Sequence, residues 1–158
     1  MHVEYASKRR SADQALDLLK DGDTIIVPTG AGEPPSLLHA LSAQRTRFRD
    51  VKVAQILAMR KYAYFDCDTV HHVRHVALFF GGASRSAGQA GWADFIPAYF
   101  SELPGLIQRE LIPADVVYSM ASPMDEHGNF ALSLAADYTM AAIRKAVSYT
   151  HLTLPTKA

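Results

Sequence analysis

Short apolar runs rich in β-branched residues recur along the chain and predict buried strands. They occupy residues 24–28, 51–57, 73–80 and 114–122. Apolar positions within these runs are nearly continuous, which is typical of strands that are covered on both faces of a parallel sheet. A fifth run, at 130–138, predicts one more strand.

Segments with helical spacing lie between these runs. Apolar residues three or four positions apart predict helices at 11–20 and 36–43, and two prolines divide 95–111 into short helices. A last helix begins near residue 138, with Asp137 or Thr139 as its cap. Strands that alternate with helices predict an α/β fold with a mostly parallel sheet and flanking helices.

Composition narrows the class of protein. The chain has 158 residues, which is enough for one domain with a hydrophobic core. The formal net charge is zero, so no basic surplus points to a nucleic acid or to an anionic membrane. No apolar run reaches the roughly 18 residues that a membrane-spanning helix needs. The single cysteine, Cys67, fits a reducing compartment, and we therefore expect a cytoplasmic protein.

The loop "PTGAGEPPSLL" joins a predicted strand to a predicted helix and is the first candidate ligand site. Its glycines allow backbone N–H groups to approach a ligand, and the start of the following helix favours an anion. It lacks the third glycine of the dinucleotide fingerprint and the Gly-Lys-Ser/Thr of a P-loop. A tight turn without a ligand is the alternative, in which Glu33 complements the helix dipole. The candidate residues are Gly30, Ala31, Gly32, Glu33 and Pro34.

A second glycine-rich segment, "GGASRSAGQAG" at 81–91, follows a predicted strand and carries one arginine. The guanidinium of Arg85 has the donor geometry that binds a carboxylate or a phosphate. The alternative is a surface loop whose arginine is solvated.

The stretch "ASPMDEHGN", at 121–129, groups two carboxylates with an imidazole. A serine hydrolase would need Ser122, Asp125 and His127 as a triad, but no nucleophile-elbow pattern is present. Asp125 and Gly128 are turn formers, so we interpret the stretch first as a turn between two strands. A turn at the carboxyl end of a buried strand is also where α/β sheets place ligands, which gives Asp125, His127 and Gly128 a secondary role in ligand binding.

A metal site is not predicted. Cys67, His71 and His75 would share a face only in a helix, whereas the segment runs into a β-branched strand.

Three stretches, "SADQALDLLKDGDTIIVPTGAGEPPSLLHAL", "GQAGWADFIPAYFSELPGLI" and "IPADVVYSMASPMDEHGNFALSLAADYTMAAIRKA", resemble in this order the N-terminal half of the acetyl-CoA hydrolase/transferase family. The nearest resemblance is to its 4-hydroxybutyrate and acetate CoA-transferases, and residues 59–75 contribute little to it. The resemblance implies a CoA-transferase-like N-terminal domain at 1–146 and, in the complete protein, a homodimer.

The resemblance also implies ping-pong transfer of CoA between an acyl-CoA and a small carboxylic acid, with coenzyme A as a cosubstrate and no bound cofactor. A glutamate attacks the thioester, and a glutamyl-CoA intermediate forms. That glutamate belongs to the C-terminal half of the family. None of the glutamates singled out in this chain stands in the catalytic context: Glu4, Glu33, Glu102, Glu110 and Glu126. We therefore expect no catalytic residue and no activity in the chain alone.

The final residues, "VSYTHLTLPTKA" at 147–158, do not fit this pattern. The first ten are the in-frame translation of GTC TCT TAT ACA CAT CTG ACG CTG CCG ACG, the end of a transposon-based sequencing-library adapter. We therefore predict a tail of adapter origin on a truncated gene. Two alternative functions stay open, an acetyl-CoA hydrolase of the same family and a non-catalytic module that binds CoA or a small anion.

Overall fold

A computed structural model describes residues 3–132, 134–146 and 148–153 of the chain. Among these residues, six strands form one sheet in which every neighbouring pair is parallel. They are β1 (Thr24–Ile26), β2 (Val51–Gln55), β3 (Val73–Ala77), β4 (Ala93–Phe95), β5 (Val116–Ala121) and β6 (Ser148–Thr153). The predicted α/β class with a parallel sheet is confirmed.

The helices are short, and single 3₁₀ turns lie between them. The helices of the described chain are α1 (Val3–Lys8), α2 (Ala12–Ala15), α3 (Pro35–Ala43), α4 (Arg85–Gln89), α5 (Leu103–Gln108) and α6 (Thr139–Lys145). Ser11 caps α2 by accepting a hydrogen bond from the Gln14 amide, while the Gln14 side chain accepts one from the Ser11 amide. The predicted helix at 11–20 therefore begins where expected but continues as a 3₁₀ turn at Leu16–Leu18.

The sheet separates two apolar layers. Alternate residues of β1 point to opposite layers, Ile25 to the first and Ile26 to the second. The first layer is covered by α2, α3 and α4, and the second by α5 and α6. Burial on both faces explains why the strand runs are nearly continuous in apolar residues.

The strand order is β4-β3-β2-β1-β5-β6. The chain moves outward from β1 to β4 and then returns to the other side of β1 as β5. The strand order thus reverses between β1 and β5, and such a switch point is where open α/β sheets bind ligands.

The structure differs from the sequence-based expectation in three elements. The described residues of 130–138 form no strand, because the Ala131 amide bonds the Ser122 hydroxyl and not a strand ladder. The segment 81–91 is partly helical, since Arg85–Gln89 forms α4. The short strand β4 was not predicted, and its last residue, Phe95, had been assigned to the helical segment 95–111.

Residues Ser148–Thr153 form β6, which pairs along β5 from Ser148 beside Val116 to Thr153 beside Ala121. The prediction that 147–158 is an adapter-derived tail concerns the origin of these residues, and it stays a prediction. Within the described chain, no helix combines the length and the apolar character needed to cross a bilayer.

Candidate functional site

The segments that follow β1, β2 and β5 meet at the switch point. The Asp137 carboxylate accepts a hydrogen bond from the Thr29 amide at 2.9 Å and another from the Thr139 amide, also at 2.9 Å. The Tyr138 hydroxyl donates to the Val27 carbonyl and accepts from the Ile56 amide. Burial is the main cause that raises the pKa of Tyr138, so this hydroxyl keeps its proton and remains a donor.

The glycine loop forms a 3₁₀ turn at Gly30–Gly32. Gly30 has a φ of +52°, which favours glycine, and its amide bonds the Leu57 carbonyl at 2.9 Å. A Cβ on Gly32 would lie 2.5 Å from the Cβ of Ala135 and 2.8 Å from that of Pro28. Close packing therefore fixes this turn, and of its candidate residues only Ala31 is exposed.

Glu33 turns inward rather than toward the amide groups of α3. Its side chain is only 1% exposed, yet its two carboxylate oxygens accept four hydrogen bonds. The donors are Tyr62 Oη at 2.9 Å, Arg60 Nη1 at 3.0 Å, Gln55 Nε2 at 3.1 Å and the Met59 amide at 3.1 Å. A buried carboxylate with this many donors is satisfied, and it fastens the loop after β1 to the loop after β2.

The negative charge of Glu33 helps to raise the pKa of two of its hydrogen-bond partners, Arg60 and Tyr62. The hydrogen bond to Glu33 is the main cause that raises the pKa of Arg60, which stays protonated. Burial, with Glu33 as the next cause, raises the pKa of Tyr62, so its hydroxyl stays a donor. Sequence reasoning missed both residues because they lie in 59–75, where the family resemblance is weak. The one signal in the sequence was the pair of basic residues, Arg60 and Lys61, that comes soon after the predicted strand at 51–57.

Arg85 begins α4, and its side chain is exposed. Its amide bonds the Gly81 carbonyl at 3.0 Å. Gly81 packs against Leu57 in the loop after β2, since a Cβ on Gly81 would lie 2.5 Å from Leu57 Cδ1. The segment thus returns to the same edge of the sheet as the glycine loop.

The stretch 121–129 is a turn. The Asp125 carboxylate accepts hydrogen bonds from the His127 and Asn129 amides at 2.9 Å and 2.7 Å, and the Asn129 amide is the main cause that lowers the pKa of Asp125. Gly128 has a φ of +86°, the conformation that this turn requires. Asp125, His127 and Gly128 are all exposed at the carboxyl end of β5.

A serine-hydrolase triad is absent from this turn. The Ser122 hydroxyl donates to the Pro123 carbonyl, and the His127 ring lies 3.5 Å from the Glu126 carboxylate. A triad would need a hydrogen bond from the Ser122 hydroxyl to the His127 ring and one from that ring to Asp125, whereas here the hydroxyl and the ring have other partners.

The described residues contain no cluster of three or more side chains suited to a metal ion. Cys67 and His71 are exposed, whereas His75 is fully buried in β3. The three residues thus face different environments.

Residues 1–148 match the model of the acetyl-CoA hydrolase/transferase N-terminal domain. The chain belongs to this family. The chain is 42% identical over 143 residues to the succinyl-CoA:cyclohexane-1-carboxylate CoA transferase of Geobacter metallireducens, which is 90% of this chain and 32% of that protein. It is 30% identical over 142 residues to the 4-hydroxybutyrate coenzyme A transferase of Clostridium kluyveri, with 90% of this chain and 33% of that protein covered.

Among solved structures, RipA from Yersinia pestis superimposes with a TM-score of 0.84 at 24% identity, over 96% of this chain and 38% of that one. This likeness shows the shared fold. The chain therefore spans about one third of the length of the relatives it matches, and the match lies in a domain described as N-terminal. The resemblance stated from the sequence is confirmed.

Proposed function

We propose that this chain is the N-terminal part of a CoA-transferase that exchanges CoA between an acyl-CoA and a carboxylic acid. The observation that carries the proposal is the family match over 148 residues, together with relatives that are named as CoA transferases. A cytoplasmic location and a homodimer stay predictions, as does 4-hydroxybutyrate as a substrate, which only one of these two relatives' names includes.

The proposed reaction proceeds in balanced steps. A glutamate carboxylate from the missing segment attacks the thioester carbonyl and expels the CoA thiolate, which leaves an acyl-glutamyl anhydride. The thiolate then attacks the glutamyl carbonyl, so that the first carboxylic acid leaves as its anion and glutamyl-CoA remains. The acceptor carboxylate reverses both steps. Each tetrahedral intermediate carries an oxyanion that backbone N–H donors stabilise.

In this proposal the chain supplies one wall of the cleft. The backbone of the turn Gly30–Gly32 lies near the switch point, and the buried residues Glu33 and Pro34 follow it in the chain. Arg85 and the exposed turn that contains Asp125, His127 and Gly128 approach from neighbouring loops. We assign Ala31, Arg85, Asp125, His127 and Gly128 to substrate binding. Gly30, Gly32, Glu33 and Pro34 are buried and support the site by fixing the loop, and none of these residues is assigned to covalent catalysis.

The test requires the parent gene, which resequencing of the source DNA across codon 146 would provide. We propose that the natural frame departs there from the tail and continues into a second α/β half. The purified full-length protein should transfer CoA from acetyl-CoA to carboxylates with parallel-line initial-rate patterns. Acyl-CoA without acceptor should leave CoA on one glutamate, detectable by mass spectrometry.

Other results would select the alternatives. CoA release that does not depend on an acceptor acid would identify a hydrolase. Binding of CoA without turnover would identify a non-catalytic module, and a genomic stop codon directly after residue 158 would point the same way.

A further inference from the structure

Arg60 is a half-exposed cation that a buried anion holds in place. The Arg60 side chain is 52% exposed, whereas the side chain of its partner Glu33 is 1% exposed. Glu33 takes one of the five N–H donors of Arg60, at 3.0 Å from Nη1. Tyr62 is the second side chain that interacts with this guanidinium, so Glu33 and Tyr62 hold it on one side while about half of the side chain stays open to solvent.

The position of Arg60 places it beside the candidate cleft. It follows β2 at the carboxyl edge of the sheet, and its neighbour Met59 lies against the glycine turn, 3.8 Å from where a Cβ on Gly30 would be. The Leu57 carbonyl also bonds the Gly30 amide. The loop that carries Arg60 is therefore packed against the turn Gly30–Gly32.

Two other basic residues, Lys61 and Arg85, differ from Arg60 in their ion-pair partners. Lys61 pairs with Asp66 at 3.0 Å, and Asp66 is itself 44% exposed. Arg85 has no ion-pair partner among the described residues, so nothing fixes its guanidinium. A fixed guanidinium loses less side-chain entropy when it binds a second ligand, and its flat fork of donors matches a carboxylate.

We propose that Arg60 binds the free carboxylate of a dicarboxylic acyl group, so that the enzyme prefers a thioester such as succinyl-CoA over one with a neutral acyl chain. This inference rests on the proposed CoA-transferase function. The name of the Geobacter relative includes succinyl-CoA, whose acyl group ends in a second carboxylate. Arg60 acts on specificity and takes no part in the bond changes.

The first test uses the unmodified full-length enzyme. It compares kcat/KM for succinyl-CoA with kcat/KM for its terminal methyl ester, which removes the charge of the acyl group and adds one methyl group. A charge-assisted hydrogen bond contributes roughly 1.5–3 kcal/mol, so the ester should react about 10- to 150-fold less efficiently. Equal efficiency would overturn the proposal.

The second test uses Arg60→Met, with Lys61→Met as the matched control. The ratio of kcat/KM for succinyl-CoA to kcat/KM for acetyl-CoA should fall about 10- to 100-fold in Arg60→Met. It should stay unchanged in Lys61→Met, and Arg60→Lys should recover part of it. If Arg60→Met does not fold, the methyl-ester comparison still decides.

The outcomes also separate this inference from the function on which it rests. An Arg60→Met enzyme that loses the same factor with both thioesters would assign Arg60 to the shared CoA portion or to the fold, and would overturn the inference alone. An unmodified enzyme that transfers CoA from no thioester would overturn the proposed function and this inference with it.

Discussion

At the scale of single residues, some buried polar side chains have hydrogen-bond partners and others do not. Glu33 is charged and buried, and four donors surround it. His75 is equally buried, yet neither of its ring nitrogens has a hydrogen-bond partner among the described residues. Its ring packs instead against Phe65, with the ring centres 4.6 Å apart. Glu33 therefore strengthens the loop connection, whereas His75 makes the core sensitive to pH.

The His75 prediction follows from its burial, which lowers its pKa from an ordinary 6.5 to about 4. Between these pH values the unfolded chain binds one more proton than the folded chain. The free energy of unfolding should therefore fall as pH drops from about 6.5 to about 4, by on the order of 3 kcal/mol. His75→Leu should remove this part of the pH dependence, because leucine has no group that titrates.

Thermal unfolding of the full-length protein between pH 4 and 7 would measure this effect. The exposed His127→Gln is the control and should keep the pH dependence of the unmodified protein. A His75→Leu protein that is as sensitive to acid as the unmodified one would show that other groups are responsible.

At the scale of elements, the turn Gly30–Gly32 depends on its neighbours. The loop after β5 supplies Ala135, which packs on Gly32, and Asp137, which accepts the Thr29 amide. The loop after β2 supplies the Leu57 carbonyl and the donors to Glu33. Two loops from other strands thus define a turn of three residues.

Gly32→Ala tests this dependence. Its new Cβ would lie 2.5 Å from Ala135 and 2.8 Å from Pro28, so that the loop after β1 or the loop after β5 must move. Overpacking of this kind costs about 1–3 kcal/mol. We expect a lower unfolding temperature and a loss of transferase activity in the full-length enzyme.

Gly82→Ala is the matched control for this change. Nothing lies within 4 Å of a Cβ at Gly82, and its φ is not in the left-handed region. Alanine there should keep stability and activity. A Gly32→Ala enzyme that behaves like the Gly82→Ala enzyme would mean that the turn adjusts without consequence.

At the scale of the whole molecule, large apolar side chains are exposed after the carboxyl ends of four different strands. They are Met59, Phe79, Tyr99 and Leu134, with exposures from 55% to 79%. A contiguous apolar surface on a monomer marks an interaction site or a tendency to aggregate. If the proposed function holds, this edge is the surface that the C-terminal part of the full-length CoA-transferase covers.

The 158-residue chain expressed alone should therefore be poorly soluble or partly molten. Gel filtration should show aggregates, and heating should give no cooperative transition. The full-length parent, prepared in the same way, is the control and should melt cooperatively. A monomeric chain with a sharp melting transition would refute this prediction.

The sequence by itself determined the class of fold and the position of the glycine loop. Nearly continuous apolar runs identify strands buried on two faces, and the glycines and prolines from Thr29 to Pro34 predict a turn between β1 and α3. It also predicted the turn at Asp125 and Gly128, because these residue types act locally, through their own backbone.

The tertiary structure alone decided which side chains meet at this edge. Glu33 contacts Arg60 and Tyr62 across 27 and 29 positions of sequence, and Asp137 reaches Thr29 across 108. Such contacts follow from the strand order, which no local pattern encodes. For the same reason the strand predicted at 130–138 was wrong: its residues are apolar enough for a strand, but Asp137 and Tyr138 bond the segments after β1 and β2.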